Sequence, residues 1–274
     1  MIIALRPKQW VKNVLLFTAP AAAGVLNQEI MNLVLGFTGF VCASSLGYLI
    51  NDWIDRLNDF KHPQKKSRPF ASGELNRNHL FFLLALLSLV IGLVCYHLPI
   101  SFSYAILGYV FVSVLYTVYI KNLPVTEIIW LSLGFLIRAI AGSMIIERNP
   151  TGWFLVVVFF GSIFIVVTKR IAEKRAGHLW KTRNVLDEYS LQFLNSALVV
   201  AISITLMTYA LWIFAVHGDS SIAQLSIISF TTSVLLYAYH AEFDNAESPE
   251  DLVTKDPLIL ICAVFTIVSL LIVF

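Results

Sequence analysis

The chain has 274 residues, of which 58% are apolar and only 13% charged, with a mean hydropathy of +0.79 and a formal net charge of +2. A water-soluble domain averages about 25% charged residues and under 50% apolar ones. Composition therefore excludes an ordinary soluble domain and places the chain in the membrane class.

The segment from Met1 to Asn13 is polar and basic, and the apolar run after it carries no small-residue cleavage site, so no cleavable signal peptide is expected. A membrane-crossing helix needs roughly 17–25 apolar residues. Nine runs qualify: 11–26, 30–50, 78–97, 100–120, 125–146, 152–168, 193–216, 220–240 and 257–274. The first is the weakest, being short and holding Pro20. Irregular backbone cannot face lipid, and the short alternating segments of a barrel are absent, so the expectation is all-α, a multi-pass membrane protein forming a single domain over 1–274. Cys42, Cys95 and Cys262 lie inside apolar runs without metal or disulfide spacing and read as packing residues.

With nine spans, 17 of the 19 Lys and Arg residues fall in five stretches on one side. Only Arg148 lies in an opposite loop, and Arg138 lies inside a span. The positive-inside rule then sets the N-terminus and the basic loops in the cytoplasm, across a cell (inner) membrane. Most acidic residues crowd onto the same side, which the rule does not require, and a face rich in both signs suggests a polar site.

The second run ends in Asn51-Asp52-Trp53-Ile54-Asp55-Arg56-Leu57-Asn58-Asp59. If the helix continues, Asp52, Asp55 and Asp59 stand at i, i+3 and i+7 on one face, with Asn51 beside them. Carboxylates stacked this way repel unless a cation lies among them. Mg²⁺ suits the position, since it takes one or two carboxylates, keeps waters and is completed by substrate phosphates. A solvated helix end with ordinary charges is the bland alternative.

The next segment holds Lys61, His62, Pro63, Lys65, Lys66, Arg68, Pro69 and Gly73. Its prolines disfavour helix at the residues before them, which lets Lys65 and Arg68 sit in a defined loop. Arg reads phosphate as a fork and Lys as a point charge; attraction to anionic lipid competes as an explanation, chiefly for Lys61 and Lys66. His62 reads as structural. Further on, Tyr116 and Lys121 close the fourth run, where an aromatic belt and a snorkelling anchor are the plainer readings. Arg138 lies about 16 Å along a helix from Glu127. An intramembrane Arg should face protein and have a partner. Lys169, Arg170, Glu173 and Lys174 close the sixth run, and an acidic stretch from Glu247 to Asp256 precedes the last.

These motifs resemble the UbiA superfamily of intramembrane prenyltransferases and, within it, the decaprenyl-phosphate phosphoribosyltransferase branch. The stretches that carry the resemblance are Arg6-Pro7-Lys8-Gln9-Trp10-Val11-Lys12-Asn13, the aspartate run from Asn51, His62-Pro63 to Gly73, Gly134-Phe135 to Gly142 with Arg138, and Lys169-Arg170 to Glu173; Glu250 to Asp256 looks like the branch's C-terminal loop. The resemblance implies a nine-transmembrane-helix UbiA-like bundle. It also implies transfer of 5-phosphoribose from phosphoribosyl pyrophosphate to a polyprenyl phosphate, with Mg²⁺ as cofactor. In that scheme Asn51, Asp52, Asp55 and Asp59 hold the metal. Lys65 and Arg68 hold donor phosphates, Arg68 counting with the aspartates as catalytic. Tyr116, Lys121, Arg138, Lys169 and Arg170 face the 5-phosphate or the lipid phosphate, and Lys8 and Lys12 meet the lipid head group. Ordinary aromatic prenyltransferases of the superfamily carry a second aspartate pair where this chain reads Lys169-Arg170-Ile171-Ala172-Glu173, and Glu127 stands where the branch carries Asp.

Two rivals remain open on the sequence: an aromatic prenyltransferase using a polyprenyl diphosphate, and a membrane transporter. Nothing points to nucleic acid. The oligomeric state, a homo-oligomer included, is not written in the sequence.

Overall fold

The apolar runs become helices. The structure, a computed structural model, describes residues 1–61, 65–175, 185–243 and 256–273. His62, Pro63, Lys181, Arg183 and the acidic stretch 247–255 lie outside the described residues. In chain order the α-helices are α1 Thr18–Ala22, α2 Ile30–Phe60, α3 Arg77–His97, α4 Ile100–Val118, α5 Thr126–Ile145, α6 Gly152–Arg175, α7 Val185–Glu188, α8 Leu191–His217, α9 Ser221–Phe243 and α10 Pro257–Val273. No strand occurs among the described residues.

Seven of these (α2 to α6, α8 and α9) are long and apolar enough to cross a membrane, and α10 is a shorter apolar helix of 17 residues. The expectation of nine spans is therefore not met helix for helix. In place of a regular first span over 11–26 stand a 3₁₀ segment, Pro7–Phe17, and the five-residue α1. The reason is tertiary. Along this stretch Trp10 and Asn13 turn polar groups onto α2, while Val11 and Val14 stay exposed. The Trp10 indole N–H donates to the Leu5 carbonyl at 3.1 Å and the Ser45 hydroxyl at 3.3 Å, and the Asn13 amide donates to Ser44 at 3.4 Å. As the contact moves from Asn13 back to Arg6, its partner moves from Ser44 on to Asp52, so the segment runs antiparallel to α2.

The residues group into two compact units. The first holds Met1–Pro20, Val25–Leu123 and Leu133–Asn149. Here Leu33, Phe40, Phe102, Ile106, Tyr109, Ala141 and Ile145 form a core between α2, α4 and the later turns of α5. A second cluster of Leu49, Phe70, Leu75, Leu80 and Leu83 fastens the loop after α2 onto α2 and α3. Phe70 meets Trp53 edge to face at 5.7 Å, which anchors the chain two residues past Arg68. Helix α3 starts where Asn76 accepts from the Asn78 and His79 N–H groups while His79 accepts from the Asn76 N–H, a reciprocal cap. At Gly142 of α5 a Cβ would overlap the Leu16 carbonyl, so only glycine lets the N-terminal segment lie this close.

The second unit holds Ala21–Gly24, Pro124–Ser132 and Pro150–Phe274. Helices α6, α8 and α9 meet around Phe164, Ala201, Val234, Tyr237 and Ala241, and α10 packs on α9, where the Ser229 hydroxyl donates to the Cys262 carbonyl at 2.7 Å.

Candidate active site

Helix α2 does continue past the apolar run to Phe60, so Asp52, Asp55 and Asp59 share one helical face. Asp52 and Asp59 are buried, at 4% and 5% exposure. A buried carboxylate is costly unless paired, and each aspartate has a cationic partner from a different part of the first unit. Arg6 grips both oxygens of Asp52, Nη2 to Oδ1 at 2.5 Å and Nε to Oδ2 at 3.3 Å. Arg68 Nη1 donates to Asp52 Oδ1 at 3.1 Å and to Asp59 Oδ2 at 2.6 Å. Lys121 Nζ lies 2.6 Å from Asp55 Oδ1.

Local backbone explains how the two arginines reach. Arg68 precedes Pro69 and follows a single 3₁₀ turn, Lys65–Ser67, with its own N–H bonded to the Lys65 carbonyl. Arg6 sits at φ 52° and ψ 63°, between the 3₁₀ turn Ile2–Leu5 and Pro7. A non-glycine residue in this left-handed region costs about 1–3 kcal/mol and persists only when its surroundings hold it. Here the Trp10–Ser45–Leu5 contacts pin the chain on one side of Arg6, and Asp52 holds the side chain. The guanidinium also lies 4.9 Å from the centre of the Tyr48 ring, one turn before Asp52.

The arrangement can be tested for a divalent ion. Among the described residues no three His, Cys, Asp or Glu side chains converge as a ready ligand set; Asp55 turns to Lys121 instead. Asp52 and Asp59 do converge, since one nitrogen of Arg68 touches both. That nitrogen marks a point where positive charge between two hard oxygen donors is favoured. Mg²⁺ asks for one or two carboxylates and takes the rest of its shell from water and phosphate, so the Asp52–Asp59 pair, with Asp55 and half-buried Asn51 beside it on α2, fits such an ion.

The other residues singled out in the sequence fall as follows. Lys8 is exposed, and Lys65 and Tyr116 are half-buried. Lys12 Nζ lies 5.9 Å from the centre of the Phe135 ring. Arg138, 4% exposed, donates from Nε to Asn13 Oδ1 at 2.7 Å, from Nη1 to the Gly134 carbonyl and from Nη2 to the Tyr109 hydroxyl, both at 2.8 Å. Its partners are neutral, and it ties the N-terminal segment to α4 and α5. In the second unit Lys169 is half-buried on α6. Arg170 is buried at 1% exposure and clasps Glu127, Nε to Oε1 at 2.6 Å and Nη2 to Oε2 at 2.7 Å, while Nη1 reaches Glu173 at 2.5 Å. The Tyr189 hydroxyl accepts from the Val125 N–H at 2.8 Å and donates to Glu127 at 3.5 Å. Burial, and next the neighbouring Glu127 charge, push the Tyr189 phenol up to about 12, against the pull of the Val125 hydrogen bond. Val125 itself is held at φ 63°, a strained setting for a β-branched residue.

Sequence reasoning missed Arg6, which sits two residues from a Lys it did single out, and it left Glu127 without a role. The available signal was chemical: Glu127 lies inside the fifth apolar run, where a carboxylate needs an opposite charge.

Apolar spanning helices and a carboxylate face met by arginine and lysine define an integral membrane protein with a candidate site for a cation and anionic groups. A family model described as the UbiA prenyltransferase family matches residues 14–255. The chain belongs to that family, and it has the family's all-α, multi-pass membrane fold. It is 35% identical to the decaprenyl-phosphate phosphoribosyltransferase of Corynebacterium glutamicum over 277 residues, covering 96% of this chain and 83% of that protein. The decaprenyl-phosphate phosphoribosyltransferase of Mycobacterium tuberculosis is 32% identical, with 96% and 90% covered. Among solved structures, a UbiA homolog from Archaeoglobus fulgidus bound to GPP and Mg²⁺ superposes with a TM-score of 0.72 at 20% identity, over 98% of this chain and 97% of that one.

Proposed function

We propose that the chain forms one intramembrane transferase domain that moves 5-phosphoribose from phosphoribosyl pyrophosphate to a polyprenyl phosphate at the cytoplasmic face of the membrane, releasing pyrophosphate. The observation that carries this is near-full-length identity of 32–35% to proteins named for that reaction. The α2 site supports it. Its carboxylates suit a hard divalent ion, and arginine and lysine within reach suit phosphate.

Asp52 and Asp59, with Asp55 and Asn51, would hold Mg²⁺. When bound there, such an ion would supply positive charge beside the pyrophosphate. Arg68 and Lys121, already within reach of the carboxylates, would orient the donor's phosphates. As the C1–O bond to pyrophosphate lengthens, ribose C1 gains oxocarbenium character, and a lipid phosphate oxygen bonds to C1 from the opposite face. The nucleophile is already an anion and gives up no proton, so no general base is needed. The protein contributes positioning and electrostatics.

An aromatic prenyltransferase reading draws on the homolog bound to GPP and Mg²⁺. Against it stands the stretch Lys169 to Glu173, where Arg170 is committed to Glu127 and Glu173 and no aspartate pair occurs. The test supplies the purified protein with Mg²⁺, polyprenyl phosphate and phosphoribosyl pyrophosphate labelled in the ribose. Label is expected in the lipid phase and should vanish from it in Asp52→Ala and Asp55→Ala. Label that stays in water with the intact protein rejects the proposal.

A further inference from the structure

We propose that Arg6 is a positioning residue that competes with the divalent ion for Asp52 and is transferred to a phosphate when the ion binds. This rests on the reading of the α2 site given above. Arg6 uses both Asp52 oxygens, and Arg68 adds a third hydrogen bond on Oδ1. Oδ1 already accepts from both arginines, so an ion bonded there, or to both Asp52 oxygens, needs a lone pair that a guanidinium occupies and its charge repels both cations; one guanidinium must then withdraw.

Geometry selects Arg6. Arg68 has a second anchor on Asp59, at 2.6 Å, and would stay near the carboxylates if it lost Asp52. Among the described residues Arg6 has no second carboxylate; beyond Asp52 its side chain meets the Tyr48 ring, and it is 25% exposed. A cation can leave Asp52 and remain over an aromatic face without being stranded.

Charge points the same way. Asp52, Asp55 and Asp59 are balanced by Arg6, Arg68 and Lys121. A divalent ion entering that balanced set adds two positive charges, which favours an accompanying diphosphate, and a guanidinium freed from a carboxylate is matched bidentately by phosphate oxygens. The strained backbone at Arg6 keeps its side chain directed at the acidic pair.

Two binding measurements on the purified full chain test this, each independent of turnover. The first is Mn²⁺ alone, followed by the electron paramagnetic resonance of the free ion. The second is pyrophosphate binding at saturating Mn²⁺, followed by calorimetry. Arg6→Gln is expected to bind Mn²⁺ alone roughly tenfold more tightly and pyrophosphate roughly tenfold more weakly, the size of one charge-assisted hydrogen bond. Arg6→Lys should move both values back toward wild type. A merely structural role would lower both affinities together. Unchanged or weakened Mn²⁺ binding in Arg6→Gln, with Arg6→Lys behaving alike, overturns the proposal. If the intact protein still carries label into lipid, that failure belongs to Arg6 alone. Opposite shifts in a protein that transfers no label would leave the role of Arg6 standing and remove the phosphoribosyl reading.

Discussion

Replacing Arg170 with methionine should unfold the protein more readily rather than merely slow it. Glu127 and Arg170 are 0% and 1% exposed, and a bidentate contact joins them, with Glu173 on the third side. Removing one partner of a buried pair leaves an uncompensated charge and costs about 3–5 kcal/mol. For a chain of this length that corresponds to a fall in Tm of about 10 °C. The assay is thermal unfolding in detergent of Arg170→Met, Glu127→Gln and the double variant. The double variant removes both charges, so it should lose less than the sum, with a coupling of at least about 2 kcal/mol. A drop in Tm below about 2 °C for Arg170→Met, or strict additivity, would refute the reasoning. A large loss of turnover without loss of Tm would return Arg170 to a phosphate, as its sequence position had suggested.

Other outcomes follow from the same contacts. Gly142→Ala should detach the Pro7–Phe17 segment, because the added Cβ meets the backbone carbonyl of Leu16; a cost of about 1–3 kcal/mol and a shift in Trp10 fluorescence would report it. Tyr189 titrates higher folded, at about 12, than its ordinary value of 10. Its contribution to stability is thus complete below pH 10 and lost between pH 10 and 12. A stability-against-pH curve should show that loss in wild type and not in Tyr189→Phe. Chelation with EDTA should abolish transfer and restoring Mg²⁺ should return it; full activity in EDTA would remove the ion from the site.

Most of the helices were legible because a bilayer imposes a length and a composition that a sequence displays directly. The continuation of α2 through Asp59 stood in the sequence only as a condition, since aspartates at i, i+3 and i+7 share a face if the helix goes on, and the structure meets it. What sequence does not carry is the pairing of distant residues. Arg6 meets Asp52 across 46 positions, Glu127 meets Arg170 across 43, and Asn13 meets Arg138 across 125. No periodicity connects them. The same long-range contacts explain the first run, where bonds from Trp10 and Asn13 to α2 outweigh the local preference for a regular α-helix.

Helix α2 has 31 residues, about 46 Å, against a hydrocarbon layer of about 30 Å. Asp52 lies about 33 Å from the Ile30 end, with two further turns beyond it. For the proposed substrates this means that neither has to change phase. A sugar phosphate dissolved in the adjoining aqueous phase and a lipid whose head already floats at the bilayer's rim can meet at the depth each occupies by itself, while the greasy chain stays where it was.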